Sequence, residues 1–411
     1  MSIRYFDNAA TSFPKPPEVA KAMMAAMEIG ASGRGVYGPA REMARLVNGC
    51  REKIARLVNM RPLVPENVVF GYNTTDALNL AVKGVLMHER MRRGVGARIH
   101  VVVTHMDHNS ILRPVNAAIE RDGLISCTQV GVDPATGMID PGELRKAIRP
   151  GDTALVCINH ASNVTGTVQD MAAIGAVCAE FGAGGDDPEG IVLLVDGAQS
   201  LGHSPVDMTA MHADLLAFPG HKGLLGPQGT GGLVIRPGVE QRLDTVREGG
   251  TGSVSEQERH PVMMPEKFEP GSHNAVGIAG LGAAVGWLLE RGIDQVREHE
   301  VGLMRRMLAS ITPEKMPGLT LIGPREVEHR VGVFSFVHDT LSSAEIAGIL
   351  ESEYGILTRA GLHCAPLAHK AFGTGGGGAV RLSFGPFMEV GDVAFAIEAL
   401  SAVCREARVG V

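Results

Sequence analysis

Short unbroken apolar runs alternate along this chain with longer stretches in which apolar residues recur every three or four positions. The runs Arg98-Ile-His-Val-Val-Val-Thr104, Asp152-Thr-Ala-Leu-Val-Cys-Ile-Asn159 and Ile191-Val-Leu-Leu-Val195 are the length of strands and rich in β-branched residues, which predicts strands buried on both faces. Asn67-Val-Val-Phe70 predicts another short strand. Val19, Met23 and Met27 mark a helix, Leu46, Cys50, Ile54 and Leu57/Val58 mark the next, and a further helix spans 170–181. From residue 98 to 235 the order is strand, helix, strand, helix, strand, as expected of a parallel sheet with helices on its faces. No dinucleotide-type glycine fingerprint follows any of these strands.

The pattern changes beyond residue 254. Residues 254–274 lack periodicity and hold three prolines, as a surface linker does, and Asn274 to Arg291 is an Ala/Gly/Leu helix pattern suited to bridging domains. The strand Val331-Gly-Val-Phe-Ser-Phe-Val337 and the helix Ser343 to Tyr354 then predict a smaller α+β domain.

Composition narrows the function. The 411 residues suffice for a large core, and 38 basic against 45 acidic residues give −7 with no basic tail, which argues against a nucleic-acid partner. The longest uncharged apolar run, Ala275 to Leu289, is short and glycine-rich for a membrane span, so no membrane partner is expected. Met1 to Asn8 lacks the regions of a signal peptide, and six scattered cysteines form neither a CxxC pair nor a zinc-ligand spacing. A cytoplasmic protein with reduced thiols and no metal is expected.

Candidate chemistry gathers where strands end. Lys222 lies in Asp214-Leu-Leu-Ala-Phe-Pro-Gly-His-Lys-Gly-Leu-Leu-Gly-Pro-Gln-Gly-Thr-Gly-Gly232, where glycines let backbone pack close to its amine. Upstream, Asp196 closes the Ile191–Val195 run. A carboxylate and a lysine so placed suit pyridoxal 5'-phosphate, the lysine forming a Schiff base and the acid keeping the pyridinium protonated. Thr74 and Thr75 open a helix, either as ordinary caps or as a phosphate cradle. His108 follows the 98–104 strand, a candidate to stack on a planar cofactor or to move protons. Ser162 and Asn163 follow the next strand, to bond a ligand or to make an Asx turn.

Read in order, Asp7-Asn-Ala-Ala-Thr11, Thr74-Thr75, Asp107-His108, Ser162-Asn163-Val-Thr-Gly166, Asp196-Gly-Ala-Gln199, Gly220-His-Lys222 and Arg359-Ala-Gly-Leu-His-Cys364 closely resemble the cysteine desulfurase branch of the class V aminotransferases. The resemblance covers nearly the whole chain. It implies an α/β, aminotransferase-like fold with a mostly parallel seven-stranded sheet, and a homodimer with sites at the interface. The organisation expected is a large cofactor-binding domain over residues 16–255. A small α+β domain would comprise residues 1–15 and 256–411, with the helix near 274–291 between the two.

The resemblance also implies roles. Lys222 would be the Schiff-base lysine, His108 the stacked ring and Asp196 the pyridinium partner, with Asn163 and Gln199 near the phenolic oxygen. Thr75 and His221 would contact the phosphate, helped by Thr74 and by Thr251 from the neighbouring subunit. Arg381 would clamp the substrate carboxylate, Arg359 would belong to the active-site loop, and Cys364 would be the nucleophile that takes sulfur from L-cysteine as a persulfide. His363 and Arg359 are expected to favour the Cys364 thiolate, and a sulfur-acceptor protein is a possible partner. Selenocysteine or cysteine sulfinate are alternative substrates on the same scaffold, and a non-catalytic partner-binding homologue is a third reading.

Two departures from the family pattern stand out. Pro219 occupies the place where the family carries a small hydroxyl residue, removing one phosphate contact. The glycine run 373–378 either lets the segment between Cys364 and Arg381 move or is a tolerated surface loop.

Overall fold

The computed structural model describes residues 3–187 and 189–409. Its largest sheet has seven strands in the order Val68–Gly71, Gly231–Ile235, Leu215–Pro219, Val192–Asp196, Thr153–Asn159, Ile99–Thr104 and Ile125–Val130. Gly231–Ile235 alone runs against the others. The unbroken apolar runs are explained by burial on both faces. Val102, Leu193 and Val195 pack on one side with helices Gly38–Leu57 and Ala275–Arg291, while Val101, Val103 and Leu194 pack on the other with helices Thr74–Arg93 and Asn109–Arg121.

A second, antiparallel sheet has the order Arg359–Gly361, Ala379–Ser383, Val333–His338, Leu319–Ile322. The N-terminal strand Arg4–Tyr5 pairs in parallel with Ile356–Leu357, so the first residues of the chain join its last hundred. Among the described residues no single helix is long and apolar enough to cross a membrane. Ala275–Arg291 and Ile293–Ser310 pass that test only as a pair, which is bent by 79°.

The structure departs from the sequence pattern in four places. An edge strand, Ile125–Val130, extends the sheet, and its polar middle hid it because only its two end residues are buried. Helix Ile293–Ser310 also adds to the expected elements. In helix Gly38–Leu57 the buried stripe is Met43, Val47, Cys50 and Ile54, whereas Leu46 is 39% exposed. The helix turns this way because Arg51 also faces inward, in a two-pronged ion pair with Glu269 at 2.7 and 2.6 Å. In helix Pro17–Ile29, Val19 and Ala26 are buried while Met27 lies 69% exposed.

Candidate active site

The carboxyl ends of the central strands open onto a cavity of about 230 Å³. Its lining includes Thr74, Thr75, His108, Asn163, Asp196, Gln199, His221 and Lys222, so eight residues singled out in the sequence meet around one space. A larger cleft of about 610 Å³ runs beside the edge strand, but none of its lining residues has a buried polar atom without a partner.

Lys222 sits in a loop that only small residues allow. A Cβ on Gly220 would overlap the Thr230 hydroxyl, and one on Gly223 would overlap the Leu201 carbonyl oxygen. The loop is also tied from outside: the His221 carbonyl accepts from Ser12 N at 2.9 Å, Ser12 Oγ at 3.1 Å and Thr11 Oγ1 at 3.1 Å. Burial lowers the Lys222 amine to about 8, with Asp196 opposing and Arg381 and Arg359 reinforcing that shift. Among the described residues the amine has no hydrogen-bond partner, which leaves it free to react.

Asp196 ends its strand fully enclosed, one oxygen accepting from Ala198 N at 2.9 Å, and burial raises its pKa. A cation against it would offset that desolvation. His108 caps helix Asn109–Arg121 through Ser110 N, and burial with Lys222 beside it lowers the ring to about 4, so it is neutral. Behind it, Asp107 clamps two strand ends, accepting from Thr104 N at 2.6 Å and Asn159 N at 2.9 Å.

Helix Thr74–Arg93 begins at the cavity. Asn73 caps it by accepting from Asp76 N, which leaves the N–H groups of Thr74 and Thr75 without an intrahelical acceptor. Among the described residues, Thr74 Oγ1 is buried without a partner, and Thr75 Oγ1 lies 2.8 Å from Ser110 Oγ. His221 Nδ1, Asn163 Oδ1 and Asn159 Oδ1 are likewise buried and unpartnered. Buried polar atoms left this way mark a place for a polar ligand.

The second sheet brings the remaining candidates. Arg359 and Arg381 are directly opposite across strands, and Arg381 Nη1 donates to the Asn163 carbonyl at 3.2 Å. Cys364 is exposed on a loop whose His363 and Cys364 both have left-handed backbone, at φ 48° and 57°. That loop is pinned to the cavity by Asn163 Nδ2 donating to the His363 carbonyl at 2.6 Å and Asn109 N donating to the Cys364 carbonyl at 2.9 Å. The His363 ring is buried and lowered to about 3, so it brings no positive charge to Cys364. Gln199 Nε2 donates to the Ala9 carbonyl at 2.9 Å.

Thr251 is not brought to the cavity. Its hydroxyl pairs with Ser253 Oγ at 3.0 Å, in a separate cleft with Arg34 and Glu269. Asn73, Asn109, Ser110 and Asn159 are site residues that motif reading passed over. Asn159 had a visible signal, since it ends an apolar strand and lies opposite Asp196 in register.

The Aminotransferase class-V family model matches residues 4–395. The chain belongs to that family. Within it, a probable cysteine desulfurase of Methanothermobacter thermautotrophicus is 34% identical over 89% of this chain and 86% of its own length. A probable cysteine desulfurase of Pyrococcus abyssi is 30% identical over 92% and 89%. The apo structure of a cysteine desulfurase from Thermococcus onnurineus NA1 superposes with a TM-score of 0.85 at 27% identity, covering 98% of this chain and 95% of that one. The mixed seven-stranded sheet is thus this class-V member's version of a shared fold.

Proposed function

We propose that this class-V protein is a pyridoxal 5'-phosphate-dependent cysteine desulfurase that converts L-cysteine to L-alanine and holds the sulfur as a persulfide on Cys364. The observation that carries the reading is the placement of one exposed cysteine, Cys364, on a loop tied by Asn163 and Asn109 to the cavity that contains Lys222.

The cavity residues fit the cofactor. Thr74, Thr75, the helix N-terminus they open and His221 would hold its phosphate, with no hydroxyl from Pro219. Asp196 would face the ring nitrogen, His108 the ring, Asn163 and Gln199 its phenolic oxygen, and Lys222 would bind its aldehyde. When bound, pyridoxal phosphate supplies an electron sink that makes the substrate Cα–H acidic.

The protein's own groups do the rest. Arg381 holds the substrate carboxylate, and Lys222 Nζ takes the Cα proton. Cys364 Sγ, as thiolate, forms a bond to the substrate sulfur while the sulfur–Cβ bond breaks. That bond's electron pair stays with Cβ, which gains a proton, and Lys222 Nζ returns a proton to Cα to complete alanine, so no external oxidant or reductant is needed.

The reading includes a cytoplasmic homodimer in which Thr251 serves the neighbouring copy, supported by its position away from its own cavity and by six unpaired cysteines. It also includes a cofactor-binding domain over 16–255 and a small domain of 1–15 and 256–411. Incubating the purified protein with L-cysteine and measuring alanine and sulfide together tests the activity, and absence of alanine overturns it. A Cys364→Ala variant that still released selenium from selenocysteine or sulfite from cysteine sulfinate, at the wild-type rate, would favour those substrates.

A further inference from the structure

The segment Asp7 to Thr11 bonds to Arg381, to Gln199 and to the His221 carbonyl, yet has no role in the chemistry above. Its backbone is fixed on both sides: Ser383 N donates to the Phe6 carbonyl at 2.6 Å, Ala9 N donates to Ser383 Oγ at 2.8 Å, and Asn8 Nδ2 donates to the Ser383 carbonyl at 3.2 Å. Tyr5 Oη, donating to the Asp7 carbonyl at 3.1 Å, fixes Asp7 itself. From this strap the Asp7 carboxylate reaches Arg381 Nη2 at 2.6 Å.

Arg381 needs such a partner. Its side chain is 2% exposed, its Nε has no hydrogen-bond partner among the described residues, and the charge of Arg359 stands opposite it on the neighbouring strand. Like charges at directly opposed positions repel, and a buried guanidinium without a counter-charge is strongly disfavoured. Resting on the desulfurase reading, we propose that Asp7 is the positioning residue for Arg381, neutralising it and fixing its plane so that its remaining N–H groups meet the carboxylate of an amino-acid substrate. Asp7 thereby sets selection for amino acids over amines, without touching the reacting atoms.

The test compares L-cysteine with cysteamine, which has the same amine and thiol but no carboxylate, on the holoenzyme. Asp7→Ala should raise the KM for cysteine roughly tenfold or more while kcat changes less than about threefold, because an interaction uniform to ground and transition states is lost. The inhibition constant of cysteamine, read from its competition against cysteine, should stay within about twofold, since it makes no use of Arg381. Asp7→Asn, which keeps an acceptor for Nη2 but removes the charge, should recover only part of the lost affinity. A purely structural strap would instead weaken both ligands and lower the melting temperature in step. Unchanged KM for cysteine in Asp7→Ala, or an equal loss for cysteamine, overturns the proposal. A wild-type protein that binds cysteine no better than cysteamine overturns it differently, by removing the carboxylate clamp itself from the reading of the site.

Discussion

Lys222 and Cys364 face one site from loops of opposite construction. The Lys222 loop is enclosed: Gly220 packs against the Thr230 side chain and Gly223 against the Leu201 backbone, and the N-terminal strap bonds repeatedly to the His221 carbonyl. The Cys364 loop exposes Cys364 while His363 stays buried, with both residues in left-handed backbone and two amide groups holding their carbonyls. A group that activates every substrate in the same way benefits from a fixed position. A group that must receive sulfur and then present it elsewhere needs access and a lighter hold. On the proposed desulfurase reading the two loops divide the work along that line, and substitution should separate them.

The largest effect is expected at the fixed loop. Lys222→Ala should lower alanine formation from cysteine by roughly 10³-fold or more, as loss of an essential base and covalent anchor. It should also remove the visible absorbance that the wild-type protein gains with pyridoxal phosphate. Cys364→Ala should lower sulfide and alanine formation by roughly 10²-fold while leaving that absorbance in place. Loss of absorbance in both variants would erase the distinction between the loops.

Packing gives the next contrast. Gly223→Ala forces a methyl onto the Leu201 carbonyl and should cost about 1–3 kcal/mol in a denaturant titration. Titration sharpens it further. Because the Lys222 amine is lowered to about 8, its reactive neutral form gains with pH up to that value. Cofactor capture by the apoprotein should therefore rise about tenfold per pH unit below about 8 and level off above it. Cys364→Ala should move this profile little, and toward lower pH, since burial is the largest cause of the shift and the Cys364 charge only weakly opposes it. His108, lowered to about 4 and already neutral, should add no inflection between pH 5 and 8.

Much of this was legible in the sequence because strands buried on both faces read as continuous apolar runs, and their polar ends carry Asp196, Asn159 and His108. What was hidden depends on contacts between distant residues. Asn163 donates to the carbonyl of residue 363, two hundred positions away, and Arg381 pairs with Asp7 across nearly the whole chain. Neither leaves a local pattern. The rotation of helix Gly38–Leu57 was hidden for the same reason, since Glu269 lies far from the Arg51 that it draws inward. The edge strand was hidden by solvent, which permits polar residues on its middle positions.

The smallest effect concerns the glycine run between Cys364 and Arg381, where the sequence left two readings. The structure divides the run itself. A Cβ on Gly376 would meet nothing within 4 Å, whereas one on Gly378, at φ +67°, would overlap the Gly361 backbone. Gly361 belongs to the strand that carries Arg359, and it pairs with Ala379, two residues before Arg381. Gly378 is thus part of the junction that sets the two arginines opposite each other, and Gly376 is not. Gly376→Ala should shift stability by no more than about 0.5 kcal/mol, as an open surface position does. If mobility of the run serves sulfur delivery, the same substitution should slow transfer of persulfide sulfur to an added thiol while leaving alanine formation in the first turnover intact. Equal rates for both steps would make the middle of the run a tolerated loop, and the lighter hold on Cys364 would then reside in its own two backbone anchors.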